Sequence, residues 1–220
     1  MLKSEDEAIQ KLLKPLLKEL YFVKTSVRVD RLHSKLKTEG ALSSEEINIK
    51  HPFHPDIDVL FWAKEYSGEP FIMASEVKYF RLREGAVYPN LYEGLGEALM
   101  LLTFGVDYVS LWHLFDPEIP SETVSRYRDL TQSLVTEAYA YSPITYQSWL
   151  LPEIPKESLD QKPTPNKDIK TVLEEMVQGM LRASFTFSIT VNLKPNPIRN
   201  RWDAKIMRSI IKKAYRIVNR

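Results

Sequence analysis

The chain has 220 residues, 44% of them apolar and 27% charged, the composition of a globular protein of one domain or of one domain with a small appendage. It contains no cysteine, which excludes a disulfide framework, a thiolate zinc site and a thiol nucleophile. The formal charge is only +1, but residues 199–220 carry +7 and leave −6 for the rest, so an anionic partner is expected at one end.

No apolar run approaches the roughly 18–20 residues of a membrane span, and the longest, Ala98 to Phe104, is far shorter. Acids at Glu5, Asp6 and Glu7 stand where a signal peptide carries bases, so a cytoplasmic, intracellular protein without membrane contact is expected.

In chain order, Ser4 and Glu7 form a capping box, and Ile9, Leu12, Leu13, Leu16 and Leu17 recur at helical spacing. This predicts a helix over 4–20, kinked or shortened at Pro15. A β-branched and aromatic strand follows at 21–29. The polar stretch 31–50 reads as a loop with at most one helical turn. Strands at 57–63 and 71–79, joined through Ser67-Gly68, read as a hairpin. A loop over 81–89 leads to a helix over 90–104, which Gly105 ends. Residues 108–115 form another strand.

Beyond it a helix capped by Ser121 runs to about 138 and a strand is expected at 144–151. Residues 152–167, rich in proline, mark a linker or mobile loop. A helix near 168–183, a β-rich stretch at 185–193 and a basic helix from 201 complete the chain. The fold class expected is α/β, a mixed central sheet flanked by helices. Residues 1–151 form its core domain, and 168–220 form an extension packed on it.

The candidate chemistry lies on the two strands of the hairpin. Residues two apart share a face of a strand, so Asp56 and Asp58 point one way, and Glu76 and Lys78 another common way. If the strands pair, two acids and an amine converge among Ile57, Val59, Leu60, Val77 and Phe80. Charges in such surroundings must pair with one another or bind an ion. Hard carboxylate oxygens suit Mg²⁺ or Mn²⁺, and a neighbouring lysine can orient the attacking water.

Pro55-Asp56-x-Asp58 followed by Glu76-x-Lys78 resembles the motif of the PD-(D/E)xK nuclease superfamily, the restriction-endonuclease-like and Holliday-junction-resolvase-like enzymes. The predicted element order over 4–115 is similar to that superfamily's αβββαβ core. The resemblance implies a DNA endonuclease that hydrolyses phosphodiester bonds by a metal-activated water. It places Asp58 and Glu76 on the metal, Lys78 beside the water, and the Val77 carbonyl as a further ligand. Asp56 is the alternative to Asp58, which sits better inside the strand. Glu97 matches an acid that members carry on the following helix, and Glu7 matches one that some carry on the first. A symmetric homodimer is expected on a duplex, which presents two related phosphates.

His51 and His54 precede the motif, and His54 is a candidate phosphate contact. A His/Asp metal hydrolase is the outside alternative, but no His-Glu-x-x-His helix supports it. His33 and His113 read as structural. On the C-terminal helix, Ile206, Met207, Ile210, Ile211, Ala214, Ile217 and Val218 form an apolar stripe. Lys205, Arg208, Lys212, Arg216 and Arg220 lie across from it, a face suited to a phosphate backbone. The second reading is therefore a nucleic-acid-binding or assembly protein that keeps the nuclease-like fold without turnover.

Overall fold

The computed structural model describes residues 2–50, 56–63, 71–135, 144–151 and 195–217. The expected turn at 64–70, linker at 152–167, helix at 168–183 and β-rich stretch at 185–193 lie outside them, as do His51, His54, Val218 and Arg220.

Ser4 caps the first helix, its Oγ accepting the Glu7 N–H at 3.2 Å. The Glu7 carboxylate accepts from the Lys3 N–H, so the reciprocal half of the capping box is displaced by one residue. Helix α1 (Glu5–Ala8) passes through a π turn (Ile9–Leu13) into α2 (Lys14–Leu20). Pro15 neither shortens nor ends it. Proline has no N–H to give, and the widened turn before it bonds the Lys14 N–H to the Ile9 carbonyl instead.

Strand β1 (Tyr21–Arg28) leads into α3 (Val29–Thr38) and α4 (Ser44–Asn48), where a loop was expected. Val29, Leu32 and Leu36 supply a thin apolar stripe, too sparse to stand out among the charges, and it packs with the C-terminal helix in one core. Ser43 and Glu46 make a complete capping box for α4.

Strands β2 (Asp56–Ala63), β3 (Ile72–Arg83), β4 (Ala86–Tyr88), β5 (Tyr108–Phe115) and β6 (Ile144–Leu150) complete a six-stranded sheet. Its order is β1-β2-β3-β5-β6, with β4 paired to the far end of β3. Pairs β1/β2, β2/β3 and β3/β4 are antiparallel, while β3/β5 and β5/β6 are parallel. The expected loop over 81–89 is thus the continuation of β3 and its hairpin to β4.

The parallel β3/β5 step is bridged by α5 (Glu93–Leu101) and a 3₁₀ turn (Leu102–Phe104). Gly105 closes this segment in the left-handed region at φ 69°, and a Cβ there would collide with the Ala204 carbonyl oxygen. Helix α6 (Ser121–Ser133) has Pro120 rather than Ser121 at its N-cap, with no side-chain cap bond.

Alternation along the strands divides the core. Val23, Val59, Phe61, Met73, Val77, Tyr79 and Trp112 face the N-terminal helix. Leu60, Trp62, Ile72, Ala74, Val109 and Leu111 face α3, α5 and α7 (Trp202–Tyr215). The result is a mixed α/β fold with helices on both faces of the sheet. No helix of the described residues is long and apolar enough to cross a membrane.

Candidate active site

Strands β2 and β3 pair from Trp62/Ile72 to Val59/Ser75 and then part. Beyond that point β2 keeps β1 as its neighbour, through Val27/Ile57 and Arg28/Asp56. β3 keeps β5, through Glu76/Leu111 and Lys78/His113. The parting leaves N–H groups of β3 that need acceptors. Two carboxylates take them: Asp58 Oδ2 accepts the Val77 N–H at 2.8 Å, and Glu5 Oε2 accepts the Tyr79 N–H at 3.4 Å.

Lys78 lies at the centre. Its Nζ stands 2.6 Å from Glu76 Oε1, 2.7 Å from Glu97 Oε2 and 3.6 Å from Glu5 Oε1. Glu76 is 3% and Lys78 9% exposed, so their charges meet little water. Helix α5 reaches the lysine because position 94 is glycine. A Cβ there would stand 2.7 Å from Lys78 Cγ and 2.9 Å from Leu111 Cδ1. One turn on, Glu97 comes down onto the ammonium. Gly96, by contrast, faces open space.

Four carboxylates surround one ammonium, and their protons reflect it. Burial raises the pKa of Asp58, Glu76 and Glu5, and the Asp58 charge pushes Glu76 further. Burial also opposes the Lys78 charge, but Glu76, Glu97 and Glu5 outweigh it and hold the amine protonated. Glu97 resists its own burial through hydrogen bonds to Glu76 and Lys78 and stays ionised. Burial and the Asp58 charge thus favour the neutral form of Glu76, while its hydrogen bonds favour the ionised form of Glu97.

Asp58, Glu76 and Lys78 are brought together from the two strands, and Glu97 joins them from α5. Asp56 is not. It is an exposed partner of Arg28 at 3.3 Å, on the β1 side. Val77 enters the cluster through its N–H, given to Asp58.

Glu7 is a correction: it pairs with Lys11 at 2.7 Å and has no contact with the cluster. Two helical residues turn the side chain by about 200°, so Glu5 and not Glu7 faces the sheet. A signal for this existed in the sequence, since Glu5 stands four and seven residues before the buried Ile9 and Leu12.

His33 is structural, its Nε2 lying 2.8 Å from the Glu46 carbonyl. His113 is fully buried beside Phe80, with Nδ1 3.1 Å from the Tyr146 hydroxyl. Burial and the Lys78 charge push its pKa down to about 3, so the ring is neutral.

The basic face of α7 is also corrected. Arg208 turns inward, its side chain 14% exposed, to bond Asp107 Oδ2 at 2.8 Å and the Gly105 carbonyl at 3.1 Å. The buried Asp107 carboxylate draws it there. Lys205 and Arg216 are exposed, Lys212 is half-buried, and Arg220 lies outside the described residues.

Among the described residues no three imidazole, thiol or carboxylate groups form a ready metal site. The Lys78 ammonium stands between the acids instead. The donor chemistry nonetheless suits a hard divalent cation: Asp58 and Glu76 offer carboxylate oxygens, whose raised pKa values a cation would lower. Comparison with protein-family models, with curated proteins and with solved structures returns no match for this chain.

Proposed function

We propose that the cluster at the parting of β2 and β3 is the active site of a Mg²⁺- or Mn²⁺-dependent DNA endonuclease of the PD-(D/E)xK type. The observation that carries this reading is the convergence of Asp58, Glu76 and Lys78 from neighbouring strands, joined by Glu97 from the next helix. The succession of N-terminal helix, β1, β2, β3, α5 and β5 supports a restriction-endonuclease-like core, with α3 and α4 as an insertion.

In this reading Asp58 and Glu76 would hold the cation, which supplies positive charge to the phosphate and acidifies a water. The remaining work falls to the chain. Lys78 stays an ammonium beside its carboxylates, so it serves as a charged donor to a phosphate oxygen or to the attacking water, not as a base. Glu97 and Glu5 position it. Burial on the sheet keeps these interactions strong by excluding water. On duplex DNA a symmetric dimer would address both strands.

Plasmid, single-stranded and junction DNA incubated with Mg²⁺ or Mn²⁺ test the proposal. Lys78→Ala and Glu76→Ala are each expected to lose about 10²–10³-fold in cleavage rate. Cleavage that persists unchanged in both variants would refute it.

One observation favours the second reading, a nucleic-acid-binding protein without turnover: an ammonium already stands among the acids. That reading requires DNA binding that falls steeply with salt and no metal-dependent product at any enzyme concentration.

A further inference from the structure

At the other end of α5, roughly 15 Å along the helical path from Gly94 to Gly105, α3 and α7 enclose a groove of about 730 Å³. Its described lining carries Lys205, Arg208, Lys212, Lys213 and Arg216 against a single acid, Glu39. Leu36, Ala41 and Ile217 give it an apolar floor.

Two of the bases are fixed from beneath. Arg208 is held by buried Asp107 at 2.8 Å, and Lys213 by buried Glu46 at 2.6 Å. Their side chains are thereby placed before any ligand arrives. Lys205 and Arg216 stand exposed at the rim. Arg216 does so from the left-handed region, at φ 53°, where the chain turns so that Ile217 packs into the core. Glu39 is drawn off toward Lys35, at 3.8 Å.

The simplest reason for bases here is helix ends, since α3 and α7 both terminate beside the groove. Each end carries about −0.5 of a charge, so one base would balance the two. Five are present, of which Arg208 and Lys213 answer the buried Asp107 and Glu46, leaving Lys205 and Arg216 at the rim, with Lys212, against Glu39. The remaining balance is positive on a concave, partly rigid surface with apolar side chains at its base. That combination fits a compact ligand with phosphates on one side and a ring on the other, in a volume of the size that small-molecule sites occupy. A phosphodiester backbone sliding past would need no apolar floor.

We infer that the groove between α3 and α7 binds a nucleoside phosphate, its phosphates on Lys205, Lys212 and Arg216 around Arg208 and its ring on Leu36, Ala41 and Ile217. The phosphate comes either from a free nucleotide or from the phosphorylated end of a nucleic-acid strand. The inference stands apart from the nuclease reading and requires no catalysis at the carboxylate cluster.

Calorimetric titration of the full chain in EDTA tests it, using ATP, inorganic pyrophosphate, and one oligonucleotide with a 5′-phosphate or a 5′-hydroxyl. ATP is expected to bind saturably at one site, with pyrophosphate competing. Lys205→Glu should weaken ATP at least tenfold. Arg216→Gly should do the same while raising the melting temperature, because it removes both the charge and the left-handed strain; weaker binding then has no origin in unfolding. A 5′-phosphorylated strand that binds tenfold tighter than its hydroxyl twin identifies a nucleic-acid end as the source. Equal binding of the pair, both weaker than ATP, identifies the free nucleotide. The inference is overturned if millimolar ATP gives no saturable binding, if neither variant weakens it, or if the 5′-hydroxyl strand binds more tightly than ATP.

Discussion

Two buried glutamates of this protein each hold a lysine ammonium at 2.6 Å, and their protons behave in opposite ways. Glu46 receives Lys213, the Ser209 hydroxyl at 2.7 Å and the Ser43 N–H at 2.6 Å, so both its oxygens have donors. Burial works against its charge, but those donors prevail and pull its pKa down to about 2. Glu76 has a similar ammonium but shares it with Glu97 and Glu5 and lies within the field of Asp58. Its pKa rises. Distance to a partner does not decide whether a buried charge is stable; the count of competing charges does. The first glutamate is a fastening between α4 and α7, and the second belongs to a site short of positive charge.

Several substitutions sharpen or break that contrast. On the proposed nuclease reading, the largest expected effect is a loss of about 10²–10³-fold in cleavage for Glu76→Ala. Glu46→Ala, tested at a temperature where it remains folded, should leave turnover per folded molecule unchanged. An equal loss of cleavage in both would erase the distinction.

Stability should respond in reverse. Glu46→Ala removes the acceptor of the Ser43 N–H and the Ser209 hydroxyl and leaves Lys213 only the Ala41 carbonyl, so it should cost about 1–3 kcal/mol in denaturant unfolding near neutral pH. Glu76→Gln replaces an acid whose neutral form burial and the Asp58 charge already favour, so its melting temperature should equal or exceed that of the wild type.

The pH dependence separates the two acids further. The pKa of Glu46 is depressed in the fold, so its contribution is complete above about 4.5 and lost as pH falls toward 2. Asp58 and Glu76 are raised, so their contribution has the opposite sign. The stability they provide as neutral acids is lost as pH rises from the ordinary carboxylate range through their raised values. Asp58→Asn with Glu76→Gln should flatten the alkaline side of the stability profile, and Glu46→Gln should flatten the acid side. An alkaline slope identical to wild type in the double variant would contradict the assigned directions.

The smallest effects concern two glycines on one helix. Gly94→Ala brings a methyl into Lys78 and Leu111, and overpacking of that kind costs about 1–3 kcal/mol. Gly96→Ala meets nothing within 4 Å and should gain up to about 1 kcal/mol from helix propensity. Chemical denaturation of the pair reads both.

Much of this was legible in the residues. The strands expected at 21–29, 57–63, 71–79 and 108–115 announced themselves by β-branched and aromatic content, whereas the end of β3 and the hairpin to β4 read as a loop. Gly105 marked its helix end, and period-two spacing placed Glu76 and Lys78 on one face. Gly94 and Gly96 look alike in the sequence, and only the structure shows that the first lies against Lys78 and Leu111 while the second meets nothing within 4 Å. Helices α3 and α4 were hidden because their apolar residues are few, and their stability comes from packing with α7, far away in sequence. Glu5 was missed because acids at positions 5, 6 and 7 look alike until the helix phase is tied to the buried stripe. Arg208 was misplaced because a base that serves a buried aspartate a hundred residues earlier is locally identical to a surface base.

If the cluster of Asp58, Glu76, Glu97 and Glu5 is the proposed metal site, it exchanges a proton for a divalent cation. Calorimetric titration with Mn²⁺ near pH 7.5, repeated in buffers of different ionisation enthalpy, measures this directly. Saturable binding with release of about one proton is expected, and Glu76→Gln should lose that release. Absence of saturable binding, or proton release unchanged in the variant, would contradict it.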